Sequence, residues 1–206
     1  DPQRYQSDVV IATMWNTCEE ALKYQAKKRF YFVQGFEPEF YLKGSQNHQA
    51  ALRTYGDQRF ELITVASCVQ EWLKKDFSRE STLVLNGVDE TWFSFSADRK
   101  QRSLRSLKKP FRILIEGNPQ SPWKNIAEAL EIVRGLSGVE VFMVSNGERT
   151  EKPHGVNRFF HQVTFSEMQG LYRRCDLLLK TSKLESFYLP PLEMMEGMSR
   201  LADAYG

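Results

Sequence analysis

At 206 residues the chain has room for one large domain or two small ones, and its apolar (41%), charged (26%) and aromatic (13%) fractions are those of a soluble globular protein. A formal charge of +2, from 28 basic against 26 acidic residues, is too balanced to argue for nucleic acid as a partner. No stretch approaches the roughly 18 uninterrupted apolar residues of a membrane-spanning helix. Asp1-Pro2-Gln3-Arg4 lacks the apolar core of a signal peptide. Cys18, Cys68 and Cys175 are odd in number and far apart, so they form neither a zinc pattern nor a disulfide framework. A cytoplasmic protein with reduced thiols is expected.

Short apolar runs alternate with helical patterns from end to end, which predicts an α/β fold with parallel sheets. A strand at Asp8–Ala12 comes so early that the chain reads as starting in the middle of a protein. Thr17-Cys18-Glu19-Glu20 has capping-box spacing and predicts a helix to about Lys27. Arg29–Gln34 reads as a strand. The loop Phe36–Tyr41 that follows is rich in aromatic residues. Gln46–Tyr55 is expected to be helical, Phe60–Ala66 a strand, Ser67-Cys68-Val69-Gln70 a second capping box opening a helix to about Lys75, and Ser81–Leu85 a strand.

Asn86-Gly87-Val88-Asp89 is a turn sequence, with Phe93 shortly after it. From Arg99-Lys100-Gln101-Arg102 through Lys108-Lys109 basic residues cluster, as a solvated linker or as a contact for anionic lipid or a charged glycan. The second half restarts with a strand at Phe111–Glu116, followed by Gly117-Asn118-Pro119-Gln120. Ser121 as N-cap and Pro122 in the first turn predict a helix to about Leu136, with Ile126, Leu130 and Val133 on its buried face. Val139–Val144 and Arg158–Val163 read as strands. Ser166-Glu167-Met168-Gln169 is a third capping box, and Met168, Leu171, Tyr172 and Cys175 line one side of its helix.

The organising stretch comes last. Asp176-Leu177-Leu178-Leu179 reads as a buried strand, Ser182 to Tyr188 as a polar loop, and Pro190-Pro191 as a helix start, with Glu193 in the first turn. Free N–H groups at a helix start attract a phosphate. A carboxylate beside a diphosphate is repelled, so Glu185 and Glu193 find their use in accepting hydrogen bonds from hydroxyls. Amides for phosphate and carboxylates for diols together describe a nucleotide-sugar site.

At Ser-x-x-Glu-Ser-Phe-x-Leu-Pro-x-Leu-Glu the chain resembles the retaining GT-B glycosyltransferases of the large family four (glycosyl transferases group 1), whose donor-binding signature is two glutamates separated by seven residues on a loop running into a helix. The Asn-Gly-Val-Asp turn and Phe93 match that family where its first domain ends. The resemblance implies two Rossmann-like (GT-B) domains, both incomplete: residues 1–93 the C-terminal part of the acceptor-side domain, 94–109 a linker, and 110–206 an incomplete donor-binding domain. Past Met195 the family continues into a small-residue segment and a further strand, which Gly197–Gly206 does not resemble. Truncation of this kind would leave sheet edges open to another copy of the chain, so oligomerisation is expected.

By the same resemblance, Ser182, Glu185, Ser186, Phe187, Leu189, Pro190 and Glu193 match donor-binding positions: Glu193 binds the ribose hydroxyls and Glu185 the donor sugar, while the backbone around Phe187 faces the phosphates and the backbone near Gln162 and Val163 lies against the base. Gly117 and Lys124 match the positions that contact the diphosphate, and Lys124 would stabilise the charge on the leaving group. Two residues depart from the pattern. Asn118 stands where an arginine is expected, replacing a bidentate cation with a neutral amide. Tyr188 stands where a small residue is usual. No Asp-x-Asp pair and no clustering of His48, His154 and His161 argue for a metal, and no cofactor is expected beyond the donor substrate. The function implied is transfer of a sugar from a nucleotide-diphosphate sugar to a glycan or lipid-linked acceptor, retaining and metal-independent, by a cytoplasmic enzyme with a peripheral membrane contact at most. The alternative is a non-catalytic module that binds the nucleotide sugar or a partner.

Overall fold

The computed structural model describes residues 6–88, 110–148 and 151–202. Asp89, Phe93, the basic linker 94–109 and the last residues 203–206 lie outside them. The chain divides into two compact units, one of Asp1–Gly87 with Glu185–Phe187, the other of Val88–Leu184 with Tyr188–Gly206.

The first unit is a four-stranded parallel sheet in sequential order, β1 (Gln6–Ala12), β2 (Gln25–Val33), β3 (Glu61–Thr64) and β4 (Ser81–Leu83). Helices α1 (Trp15–Ala21), α2 (Gln46–Gly56) and α3 (Ser67–Phe77) connect the strands, with a 3-10 turn at Glu37–Phe40. Tyr31 and Val33 of β2 and Leu62 of β3 are buried with Tyr55 of α2 and with Val69 and Leu73, one turn apart on α3. Tyr31 stacks on Tyr55 at 5.5 Å, and Tyr55 meets Trp72 edge-on at 5.0 Å.

Two buried polar side chains tie loops to this core. The Glu37 carboxylate accepts from the Tyr31 phenol (2.8 Å) and from the N–H of Trp15 (2.7 Å), the first residue of α1, whose amide has no partner inside the helix. The Arg79 guanidinium donates to the carbonyls of Tyr55, Asp57 and Phe60, holding the turn between α2 and β3.

The second unit is also a four-stranded parallel sheet, but its order reverses. Strands β5 (Phe111–Glu116), β6 (Val139–Ser145), β7 (Arg158–His161) and β8 (Leu177–Leu179) lie as β7-β6-β5-β8. The chain steps outward from β5 to β7, then α5 (Phe165–Arg174) returns it to the other side of β5. Strand alternation splits the core. Leu114, Phe142 and Val144 face Leu171, Tyr172 and Cys175 of the α5 segment and Met194 of α6 (Leu189–Ala202), whereas Ile113, Ile115, Val141 and Met143 face Ile126, Ala129 and Val133 of α4 (Ile126–Arg134). A sheet covered on both faces needs continuous apolar strands, which is what Ile113-Leu114-Ile115 and Val141-Phe142-Met143-Val144 supply.

Strands fall where the sequence predicts them, while helix starts move. Helix α1 begins at Trp15 and ends at Ala21; Thr17 caps it from inside, its hydroxyl accepting from the N–H of Thr13 and of Met14 at 3.1 Å. Residues 25–28, expected at the helix end and beyond, pair instead with β1. Helix α3 is preceded by Ala66 as N-cap, and Gln70 of the expected box donates to the Ser81 carbonyl (2.7 Å). The box at α5 is Thr164 with Glu167, two residues before the expected one: the Thr164 hydroxyl accepts from Glu167 N–H, and the Glu167 carboxylate accepts from Thr164 N–H at 2.7 Å. The helix expected from Ser121 is a 3-10 turn, Pro122–Lys124, then a left-handed Asn125 (φ 51°), then α4, in which Ala129 replaces Leu130 on the fully buried face.

Arg79→Met leaves three carbonyls short of a donor and is expected to destabilise the first unit by about 1–3 kcal/mol in urea unfolding. Burial holds the Glu37 carboxyl above its ordinary value of 4.5, against the pull of its two hydrogen bonds. The folded state then keeps this proton to higher pH than the unfolded state, so its contribution to stability falls as pH rises from that ordinary value through the raised one. Glu37→Gln lacks the term, and its stability relative to wild type should improve from acid toward neutral pH. A difference that stays constant across that range contradicts the assignment.

Candidate functional site

Parallel strands end on one side of a sheet, and in open α/β sheets ligands bind outside those carboxyl ends where the strand order reverses. In the second unit the reversal lies between β5 and β8, so the relevant loops are 117–125 and 180–188. Three hydrogen bonds join them. Asn125 Nδ2 donates to the Thr181 carbonyl (3.1 Å), Thr181 Oγ1 to the Asn125 carbonyl (2.8 Å), and Lys183 N–H to the Trp123 carbonyl (2.8 Å).

Gly117 is where the first of these loops leaves the sheet. Its N–H still bonds the Val144 carbonyl (3.0 Å), but its φ of 147° takes the chain into a conformation that L side chains rarely adopt. A Cβ there would lie 2.9 Å from Ile126 Cδ1 and 3.2 Å from Lys124 Cβ. The close approach packs the stem of Lys124 over the glycine. Lys124 ends the 3-10 turn; it is not in the first turn of a helix.

Asn118, the residue in place of the expected arginine, forms a local turn: its Oδ1 accepts from Gln120 N–H (3.0 Å) and its carbonyl from Ser121 N–H. Its amide lies against Gly147, where a Cβ would come within 2.3 Å of Nδ2. Beyond it, His161 Nε2 and the Gly147 carbonyl (3.0 Å) link the ends of β7 and β6, and Gln162, left-handed at φ 51°, donates its N–H to the Ser145 carbonyl. Val163 packs into the core cluster on the α5 side.

Ser182 Oγ is buried, with no hydrogen-bond partner among the described residues. A hydroxyl so placed is costly unless something else satisfies it. Glu185, Ser186 and Phe187 group with the first unit, where Ser186 Oγ donates to the Gln34 carbonyl (2.5 Å) and Phe187 packs against the core. Leu189 and Tyr188 group with the second. Pro190 and Pro191 remove two of the first four amide donors of α6, so the helix start offers an anion fewer N–H groups than a proline-free helix would.

Glu193 is the fifth residue of α6, just past the first turn where it was expected, and it faces α5. Its Oε2 accepts from the Tyr172 phenol at 2.8 Å, leaving Oε1 for a second donor. Burial raises its carboxyl above the ordinary range, the Tyr172 hydrogen bond opposes that, and the charge of Glu116 adds to it. Burial first, then the charge of Glu193, push the Tyr172 phenol far up, so it stays a proton donor.

Sequence reasoning overlooked Tyr172, Glu116 and Lys180 here. Lys180, with a side chain only 5% exposed, pairs with the Glu116 carboxylate and donates to the Glu116 carbonyl at 3.0 Å. The available signal was a charged residue closing each of two apolar runs, Ile113-Leu114-Ile115-Glu116 and Leu177-Leu178-Leu179-Lys180. Tyr188, the other departure from the family pattern, lies with its ring centroid 5.6 Å from Lys180 Nζ.

No family model matches the chain. The O-antigen biosynthesis protein RfbC of Myxococcus xanthus is 25% identical over 198 residues, which is 91% of this chain and 15% of that protein. Sucrose-phosphate synthase from Thermosynechococcus elongatus superposes with a TM-score of 0.71 at 12% identity, over 91% of this chain and 53% of that one. Anabaena HepE in complex with UDP-glucose superposes at 0.67 with 17% identity, over 92% of this chain and 57% of that one. The chain thus spans little more than half of these solved proteins and a small part of RfbC. Its fold is the α/β, parallel-sheet fold of GT-B glycosyltransferases. Among the described residues no helix is long and apolar enough to cross a membrane.

Gly117→Ala forces either the Ile126 or the Lys124 side chain to move and strains the backbone. It is expected to destabilise the second unit by about 1–3 kcal/mol in chemical denaturation. Gly56→Ala, where nothing lies within 4 Å of the added Cβ, is the control and should leave stability near wild type.

Proposed function

We propose that the chain carries the donor-binding part of a glycosyltransferase that moves a sugar from a nucleoside-diphosphate sugar to a glycan or lipid-linked acceptor, with retention of configuration and without a metal. The observation that carries this reading is the pair of joined loops at the reversal between β5 and β8, with Lys124 packed over Gly117 on one and the unpartnered Ser182 hydroxyl on the other. Glu193, held by Tyr172 with one oxygen to spare, suits a ribose diol. The ligand class is the one named for Anabaena HepE, and O-antigen synthesis is the process named for RfbC.

In this reading Lys124 lies against the diphosphate and Glu185 against the sugar. The bond from the anomeric carbon to the phosphate oxygen breaks, and the nucleoside diphosphate leaves with that electron pair. The acceptor oxygen bonds to the same face, and its proton passes to the departing phosphate. Lys124 stabilises the charge that develops on that phosphate.

A second reading, binding without turnover, is favoured by Asn118. Its amide oxygen is engaged in its own turn, so the site lacks the bidentate cation expected there.

Turnover of radiolabelled sugar nucleotides and calorimetric binding of UDP separate the two. Glu193→Ala should weaken UDP binding about 10- to 100-fold, the range of one hydrogen bond to a charged group. Lys124→Ala should lower kcat about 100- to 1,000-fold, as loss of a transition-state donor does. UDP binding without turnover in the wild type supports the second reading. UDP affinity unchanged in both variants overturns the site.

A further inference from the structure

Lys180 and Thr181, the two residues after β8, each hold one end of the loop that carries Lys124. Ile115 pairs with Leu179 across the β5–β8 ladder, so the two strands leave the sheet side by side. The Lys180 side chain, buried at the strand end, donates to the Glu116 carbonyl at 3.0 Å and pairs with the Glu116 carboxylate. The same peptide link gives its N–H, on Gly117, to the Val144 carbonyl (3.0 Å). Both polar groups of the peptide from which the loop departs are therefore fixed. An apolar pair at two adjacent strand ends would pack without desolvating charge, but it would leave the Glu116 carbonyl without this donor.

At the far end, Thr181 and Asn125 exchange hydrogen bonds. The Thr181 hydroxyl donates to the Asn125 carbonyl (2.8 Å), and the Asn125 amide donates to the Thr181 carbonyl (3.1 Å). Asn125 directly follows Lys124 and is left-handed at φ 51°, a conformation an L residue holds only at a cost. Between these anchors the loop's own bonds are short-range, joining Asn118 to Gln120 and Ser121, and Ser121 to Lys124. Such bonds shape a turn, whereas the bonds from Lys180 and Thr181 place that turn against the sheet.

Placement matters more for a lysine than for most donors. Its four-carbon stem is flexible, so what the fold can fix is the backbone at its root. A misplacement of about 1 Å in a reacting geometry costs about 100-fold. We infer that Lys180 and Thr181 are positioning residues: they clasp the loop 117–125 at both ends and so hold Lys124 where it meets the diphosphate of a bound nucleotide. The ligand in this inference rests on the donor reading; the clasp on the loop does not.

Two measurements on the full chain test the parts separately. Amide hydrogen exchange without ligand follows Gly117 and Lys124, whose N–H groups bond the Val144 and Ser121 carbonyls. Calorimetry follows the affinity for UDP and for UMP, which lacks the second phosphate. Thr181→Val keeps the side-chain shape and loses the hydroxyl; it should speed Lys124 exchange about 3- to 10-fold, the range of one hydrogen bond. Its UDP affinity should fall by a similar factor and its UMP affinity by less. Thr181→Ser should match wild type in both. Lys180→Met should speed Gly117 exchange and weaken UDP in the same way. In a Lys124→Ala background, Thr181→Val should cost UDP affinity less than about twofold more, because the ammonium it places is gone. Unchanged exchange at Lys124 in Thr181→Val overturns the inference, as does an equal rise at the β6 amides, which signals general loss of stability. An equal loss of UDP affinity with and without Lys124 overturns it too. If Lys180→Met does not fold, Thr181→Val decides alone. Exchange that changes as expected in a protein that binds neither nucleotide supports the clasp and overturns the donor reading.

Discussion

The second unit depends on a short ladder. Strand β8 pairs with β5 through only three residues, Leu177, Leu178 and Leu179, yet that pairing sets the reversal of strand order and carries the chain into the loop before α6. Three ladder pairs alone make a weak strand, so both ends are fastened. At the entry, the Asp176 carboxylate accepts from Arg112 N–H and Asp176 N–H donates to the Arg112 carbonyl, each at 2.8 Å. At the exit the Asn125, Thr181, Trp123 and Lys183 bonds join the two loops. Backbone groups take part in each of these contacts, so the fold itself joins the two loops beyond the strand ends.

That arrangement accounts for the electrostatics beyond it. Charged groups at strand ends are partly withdrawn from water, so each needs a partner close by. Lys180 answers Glu116, and Tyr172 answers Glu193. The opposite end of the sheet is settled by a separate cluster, in which Glu140 pairs with Arg112 and Arg158, and both guanidinium groups lie 5.4 Å from the Phe142 ring. There the aromatic ring is buried and the ions are matched among themselves, which reads as support for β5 and β6.

The central strands of the second unit were legible because parallel strands covered on both faces must be apolar throughout. Ile113-Leu114-Ile115 and Val141–Val144 could hardly be anything else. Helix starts were less legible because a threonine or serine three residues before an acid or amide is satisfied in several ways. Thr17 caps from the third helical position, Thr164 from the N-cap, and Gln70 leaves its helix to bond Ser81. Lys27-Lys28 reads as a helix end on propensity, but pairing with β1 overrides it. At the site, the spacing of Glu185 and Glu193 was plain in the sequence, whereas the contact of Lys180 with Glu116, 64 residues apart, exists only because β5 and β8 are neighbours. No local pattern encodes that adjacency.

Each unit holds a carboxylate that accepts a 2.8 Å hydrogen bond from a buried tyrosine, Glu37 from Tyr31 and Glu193 from Tyr172. In both, burial raises the carboxyl. The two differ in what else reaches them. Glu37 is only 4% exposed and takes a second donor from the backbone N–H of Trp15, so a helix start completes it and leaves nothing for an outside molecule. Glu193 sits within a helix whose own amides are engaged in the helical ladder, and among the described residues no backbone N–H reaches it. The same pair of residue types therefore closes a core in one unit and leaves a directed acceptor in the other. What distinguishes them is the position of the acid relative to a helix start: both donors to Glu37, the Tyr31 phenol and the Trp15 N–H, meet the same oxygen, whereas Glu193 takes the Tyr172 phenol alone among the described residues.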